Sequence, residues 1–149
     1  MERLQTWKVE KVTMAERQHA RRFLSASGLP REGLDDAELW CVRGEGQRIL
    51  GLAGMETWGK RALLRSVAVE NGRRNAGVGS SLVRHVIAEA RKRKMRQVYL
   101  ITETAPLFFE RLGFNTINRS LVSGGILSSA EFKEACPETA SVMRMDLSI

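Results

Sequence analysis

Apolar positions along the chain fall at helical spacing, switch to alternation, and then return to helical spacing. Thr13, followed three residues later by Glu16, forms a capping-box pattern. The helix it opens is predicted to continue to about Ser27, where Gly28 and Pro30 stop it. Residues 6–9 ahead of it read as a short first strand, and residues 31–36 after it read as a polar loop. From Glu38 the period becomes two. Residues 39–43, 48–58 and 61–69 read as three strands separated by turns at 44–47 and 59–60, an antiparallel meander. Val78, Leu82, Val83, Val86, Ile87 and Ala90 then form one stripe at helical spacing, with Ser80, Ser81, Arg84, Glu89 and Arg91 outside it, which predicts a helix over 78–94. Residues 97–101 form a short apolar strand, and a single helical crossover pairs it in parallel with the strand before the helix. Pro106 suits the first position of a short helix that Gly113 ends, and Ser128 with Glu131 opens another that stops before Pro137. Met143, Met145 and Leu147 alternate with Arg144 and Asp146 as a last strand. The expected fold is α+β, with a mixed, mostly antiparallel central sheet flanked by helices. The absence of repeats and Pro/Gly-rich linkers makes residues 1–149 one domain.

Composition adds bounds to this picture. With 149 residues and 43% of them hydrophobic, the chain can build one core. It contains no apolar run of roughly 18 residues, as a membrane span needs, and the first residues lack the apolar stretch of a secretory signal, so a cytoplasmic location is expected. Cys41 and Cys136 are far apart and have no histidines at metal-ligand spacing, so reduced, packed thiols are expected, with no disulfide and no metal. The net charge of +7 favours an anionic partner. Much of it lies in Arg91, Lys92, Arg93, Lys94 and Arg96, where cations complement a helix C-terminus, and the cluster reads as a solvated helix end. Without interleaved aromatics it does not make the chain a nucleic-acid binder. His19 and His85 read as surface residues, and Tyr99 as core.

The segment from Ser66 to Leu82 carries the chemistry. A strand runs through a glycine-containing loop straight into a helix N-terminus, where free backbone N–H groups and the helix dipole favour a phosphate. Arg74 can add a charge-assisted contact, and Gly77 and Gly79 permit close approach of a ligand. No Lys-Ser/Thr follows the glycines, as a P-loop requires. Nor is there the third glycine and later acidic residue of a dinucleotide site. Alone, the glycine pair reads equally as a tight strand-to-helix turn.

Val67-Ala68-Val69, followed after four residues by Arg74-x-x-Gly77-Val78-Gly79, resembles the acetyl-CoA motif of the GNAT acetyltransferase superfamily. Phe108-Phe109-Glu110-Arg111-Leu112-Gly113-Phe114 resembles that superfamily's second motif, F-Y-E-x-x-G-F. Residues 63–69, 98–102, 108–114 and 129–132, with Cys136-Pro137, are more narrowly similar to small GNAT proteins of arsenic-resistance operons, related to amino-acid N-acetyltransferases. The resemblance implies the three-layer GNAT fold, with the fourth and fifth strands splayed apart. It implies acetyl-CoA as cosubstrate, its pantetheine arm lying along Val67, Ala68 and Val69. The pyrophosphate would sit on amides from Arg74, Asn75, Ala76, Gly77, Val78 and Gly79, with Ser80 next in line. Phe108 and Phe109 would wall the channel, and Arg111 is counted with the cofactor contacts. The acceptor would be the primary amine of a small, amino-acid-like molecule, an arsenic-containing analogue among the candidates, and a homodimer is possible. The alternative is a non-catalytic acyl-CoA-binding module.

An amine is mostly protonated near neutral pH, so a base must act before transfer. Glu56, on the third strand, is the leading candidate and is expected to face the cleft. It reads equally as a structural partner of Arg65, which hairpin register places nearly opposite. By simple alternation Arg65 shares a face with Leu63, Val67 and Val69, and a guanidinium there needs a fixed anion: Glu56, or a substrate carboxylate. Phe109 stands where many GNAT enzymes carry a tyrosine that protonates the leaving thiolate, so water or the hydroxyl of Thr102 or Thr104 must serve. Glu103 is the next base candidate.

Overall fold

The computed structural model describes residues 7–28, 34–73, 77–122, 125–126, 129 and 139–147. Its strands are β1 (Glu10–Lys11), β2 (Glu38–Arg43), β3 (Ile49–Trp58), β4 (Arg61–Val69), β5 (Gln97–Thr102), β6 (Asn115–Ile117) and β7 (Ser141–Asp146). Its helices are α1 (Arg17–Ser27), α2 (Val78–Lys92) and α3 (Pro106–Arg111). The strands form one mixed sheet in the order β1-β2-β3-β4-β5-β7-β6, parallel only between β4 and β5. The meander, the crossover and the parallel pair are those the sequence predicts.

Alternation along the strands builds two layers of core. Trp40, Val42, Met55, Ala62, Leu64, Val98 and Leu100 face the apolar stripe of α2 and Phe109 of α3. Leu39, Cys41 and Leu52, from the other face, pack against Ala20 and Leu24 of α1. On the same face as α1, Leu63, Tyr99 and Val142 are covered by Val122 and Ile126. The start of α2 lies so close to β3 that a Cβ on Gly51 would come within 2.6 Å of Val78, so glycine is required there.

Three expectations need correction. The first strand lies at Glu10–Lys11, where it pairs with Cys41 and Trp40, rather than at residues 6–9. Trp7 and Val9 instead pack against the core without strand pairing, and Thr6 lies outside the described residues. Part of the polar loop is ordered by a cation: Arg17 of α1 donates to the Leu34 and Ala37 carbonyls at 3.1 and 2.6 Å, and Leu34 is buried in a single 3-10 turn. The basic end of α2 is not uniformly solvated, because Arg93 grips Glu38 with both terminal nitrogens at 2.6 and 2.7 Å. This pair ties the end of α2 to the start of β2, while Arg91, Lys92, Lys94 and Arg96 are exposed.

The capping expectation holds: the Glu16 carboxylate accepts from the Thr13 backbone and hydroxyl, and Gly28 ends α1 in the left-handed conformation. Cys41 is buried, and burial raises its thiol pKa, as a packed thiol requires. His19 is exposed, whereas His85 is half-buried with its ring 6.2 Å from that of Trp40. The helix expected at 128–137 and Cys136 lie outside the described residues. No helix among the described residues is long and apolar enough to cross a membrane, and among them no group of three or more His, Cys, Asp or Glu is placed to hold a metal.

Candidate active site

The parallel pairing of β4 with β5 covers only Arg61, Ala62 and Leu63 against Gln97, Val98 and Tyr99. Past that point the strands part, and a cavity of about 630 Å³ opens between them. Leu64 to Val69 form one wall and Leu100 to Ala105 the other. Gly28 at the end of α1, Gly79 at the start of α2, and Phe108 and Phe109 of α3 close its rim.

The parting has a local cause in β4. Between Leu52–Ala68 and Gly54–Arg65 the ladder advances two residues on β3 but three on β4, so one extra residue is bulged into β4. Ser66 sits at this bulge with φ of 59°, a left-handed conformation that costs a non-glycine residue about 1–3 kcal/mol unless its surroundings hold it. The extra residue shifts the alternation. Val67 and Val69 therefore join Leu64 against the α2 core, while Ala68 joins the α1 side. The sequence expectation that Arg65 shares a face with Val67 and Val69 is overturned by this bulge. Arg65 shares its face with Leu63 and Glu56.

Glu56 and Arg65 do meet. Leu63, not Arg65, is directly opposite Glu56, and Arg65 lies one diagonal step away, with its Nη1 3.0 Å from Glu56 Oε2. Their side chains are 6% and 0% exposed, which makes this the most deeply buried ion pair among the described residues. Arg65 Nε also donates to Ser66 Oγ at 3.1 Å. Arg65 belongs to the cavity wall, whereas Glu56, expected to face the cleft, stands behind it and is not part of the lining. Glu103 is the carboxylate on the lining among the described residues; it is exposed and accepts from the Thr139 hydroxyl at 3.2 Å.

The remaining expected contacts fall into groups. Val67, Ala68, Val69, Gly79, Thr102, Thr104, Phe108 and Phe109 line the cavity. Thr102 Oγ1 accepts from the Ala105 amide at 3.1 Å, which fixes the turn into α3. Gly77 caps α2 with φ of 85°, and the Val78 side chain is fully buried in the core, so Val78 can offer a ligand only its backbone. A Cβ on Gly79 would lie 3.2 Å from the Phe108 ring, so this glycine makes room for α3. Phe108 and Phe109 pack edge to face at 4.9 Å. Ser80 is half-buried, and Arg111 is exposed at the end of α3, away from the lining. Arg74, Asn75 and Ala76 lie outside the described residues.

The family described as Acetyltransferase (GNAT) domain matches residues 35–116, more than half of the chain. The chain belongs to the GNAT acetyltransferases. Solved structures agree with this acetyltransferase in fold. A GNAT-family acetyltransferase from Staphylococcus aureus Mu50 superposes with a TM-score of 0.77 at 18% identity, over 95% of this chain and 99% of that one. The N-acetylglutamate synthase of Neisseria gonorrhoeae, complexed with coenzyme A and N-acetyl-glutamate, gives 0.79 at 13% identity, over 97% of this chain but 36% of its own. The ribosomal-protein-S18-alanine N-acetyltransferase of Escherichia coli gives 0.69 at 18% identity, over 95% and 94%.

Sequence reasoning found both flanks of the cleft because glycines and paired phenylalanines mark them. It missed the bulge at Ser66, which no glycine announces.

Proposed function

We propose that this GNAT acetyltransferase moves the acetyl group of acetyl-CoA to the primary amine of a small, amino-acid-like molecule. The observation that carries the reading is the cleft: a β4 wall beyond the reach of β5, leading through a loop to the N-terminus of α2. An extended pantetheine arm can hydrogen-bond along Val67 to Val69 as an added strand would. The amides from residue 74 to 79 then receive the pyrophosphate, aided by Arg74. The complex of the gonococcal synthase with coenzyme A and an acetylated amino acid supports both the cosubstrate and the acceptor class. The sequence resemblance to arsenic-resistance GNAT proteins adds an amino-bearing arsenical to the acceptors.

In this reading Arg65, a residue of the wall, anchors a substrate carboxylate, and Glu56 behind it takes the amine proton by way of water. The amine lone pair attacks the thioester carbon, the C–S bond breaks, and coenzyme A leaves as the thiolate. Phe109 cannot protonate that thiolate, so the proton comes from water, directly or relayed through the Thr102 or Thr104 hydroxyl, which regains its proton from that water. One observation favours a second choice of base: Glu103 is on the lining and Glu56 is not.

Thiol release from acetyl-CoA should be measured over amino acids, polyamines, aminoglycosides and amino-bearing arsenicals. Turnover is expected with a carboxylate-bearing amine, and at saturating acetyl-CoA Arg65→Ala should raise the Michaelis constant for that amine while scarcely affecting an amine without a carboxylate. Coenzyme A binding with no turnover on any amine would make the protein a non-catalytic acyl-CoA-binding module.

A further inference from the structure

Serine is an unexpected residue at the one left-handed position inside β4. Bulges that need positive φ usually take glycine, which adopts it without strain. Here a side chain is present and engaged: Ser66 is 8% exposed, its Oγ accepts from Arg65 Nε at 3.1 Å, and Arg65 Nη1 is held by Glu56 at 3.0 Å. The guanidinium is bound at Nε and at Nη1 by groups that are themselves buried, so its position is fixed. It therefore holds the serine hydroxyl in place.

We infer that Ser66 is a positioning residue for acyl transfer, with Glu56, Arg65 and Ser66 forming a latch that locks the β4 bulge. The bulge lies three residues past the last β4–β5 pair, Leu63 with Tyr99, and immediately before Val67 to Val69. Locking it sets which way those three residues present their backbone to the cleft. The inference rests on the reading that the cofactor arm lies along them. It gives the buried ion pair a purpose besides stability: the pair orders a strained backbone that would otherwise relax.

Two substitutions separate the latch from other roles. Ser66→Ala keeps the steric cost of positive φ and removes the hydrogen bond, so the bulge is no longer held. Ser66→Gly removes both the bond and the cost, so the bulge remains accessible. The latch predicts that Ser66→Ala weakens coenzyme A binding and raises the Michaelis constant for acetyl-CoA by about tenfold, with a much smaller change in turnover at saturating acetyl-CoA. It predicts that Ser66→Gly recovers most of that loss, to within about threefold of the parent. Calorimetric titration with coenzyme A and initial rates on the best amine give both readouts. Ser66→Ala within twofold of the parent overturns the inference, and so does Ser66→Gly as poor as Ser66→Ala, which would make the hydroxyl a substrate contact. If the parent binds no coenzyme A, the proposed function fails. The latch is then tested alone by amide exchange in the ligand-free protein, where Val67 to Val69 should exchange faster in Ser66→Ala and unchanged exchange overturns it.

Discussion

The two halves of β4 differ in what their edges do. From Arg61 to Leu63 the strand is paired on both sides, with β3 and β5, and Ala62 and Leu63 are fully buried. From Leu64 to Val69 it keeps β3 but loses β5, and its open edge faces a cavity. The first half behaves as core, flanked by a strand on each side. The second is a half-finished sheet, and an unpaired strand edge is a template for another extended chain. Under the proposed function that edge takes the cofactor arm, so the same strand would supply stability at one end and binding at the other.

The largest way to sharpen this division is at Glu56, on the boundary between the halves. Replacement by Gln should lower turnover by roughly 10² to 10⁴-fold with coenzyme A binding retained, the usual contribution of a positioned base. If Glu56→Gln keeps parental turnover and Glu103→Gln loses it, the base is Glu103. Leu63→Ala breaks the closed half instead. Deleting a fully buried leucine should cost about 2–5 kcal/mol of stability, read by denaturant unfolding, while the folded variant keeps its affinity for coenzyme A. Loss of affinity in step with stability would show that the two halves are not separable.

The smallest effect is electrostatic and involves residues outside the cleft lining. The Arg43 guanidinium, hydrogen-bonded to Glu16, holds that carboxyl at about 2, and Arg93 does the same for Glu38. Both are depressed from an ordinary value of 4.5, so their contribution is present above about pH 4.5 and is lost as pH falls towards 2. Both carboxylates are partly exposed, so the loss should be modest and reduced by salt. Melting temperature followed from pH 6 to about pH 2 should fall in the parent and fall less in a Glu16→Gln, Glu38→Gln double variant.

Much of this arrangement was legible in the sequence, and the parts that were not share a cause. The meander and α2 were legible because each buries one face over many residues, and periodicity accumulates with length. The rim of the cleft was legible because Gly79, Phe108 and Phe109 are unusual residues in a familiar order. β6 was missed because it is three residues long and mostly exposed, so it has no alternation to show. The cover formed by Val122 and Ile126 was missed because the apolar residues of 120–127 are split by Ser123, Gly124 and Gly125 and show neither helical nor strand spacing. The faces of β4 were misassigned past Arg65 because strict alternation was carried across the bulge at Ser66. A bulge displaces every later side chain by one position while leaving the composition of the strand unchanged.

Hydrogen exchange with and without coenzyme A tests the central claim most directly, because it reads the two halves of β4 in one experiment. Binding should slow exchange at Val67 to Val69 and at the start of α2, and leave Ala62 and Leu63 as they were. Protection that misses Val67 to Val69, or that appears elsewhere while the cleft is unchanged, would contradict the assignment of this cleft to acyl-CoA.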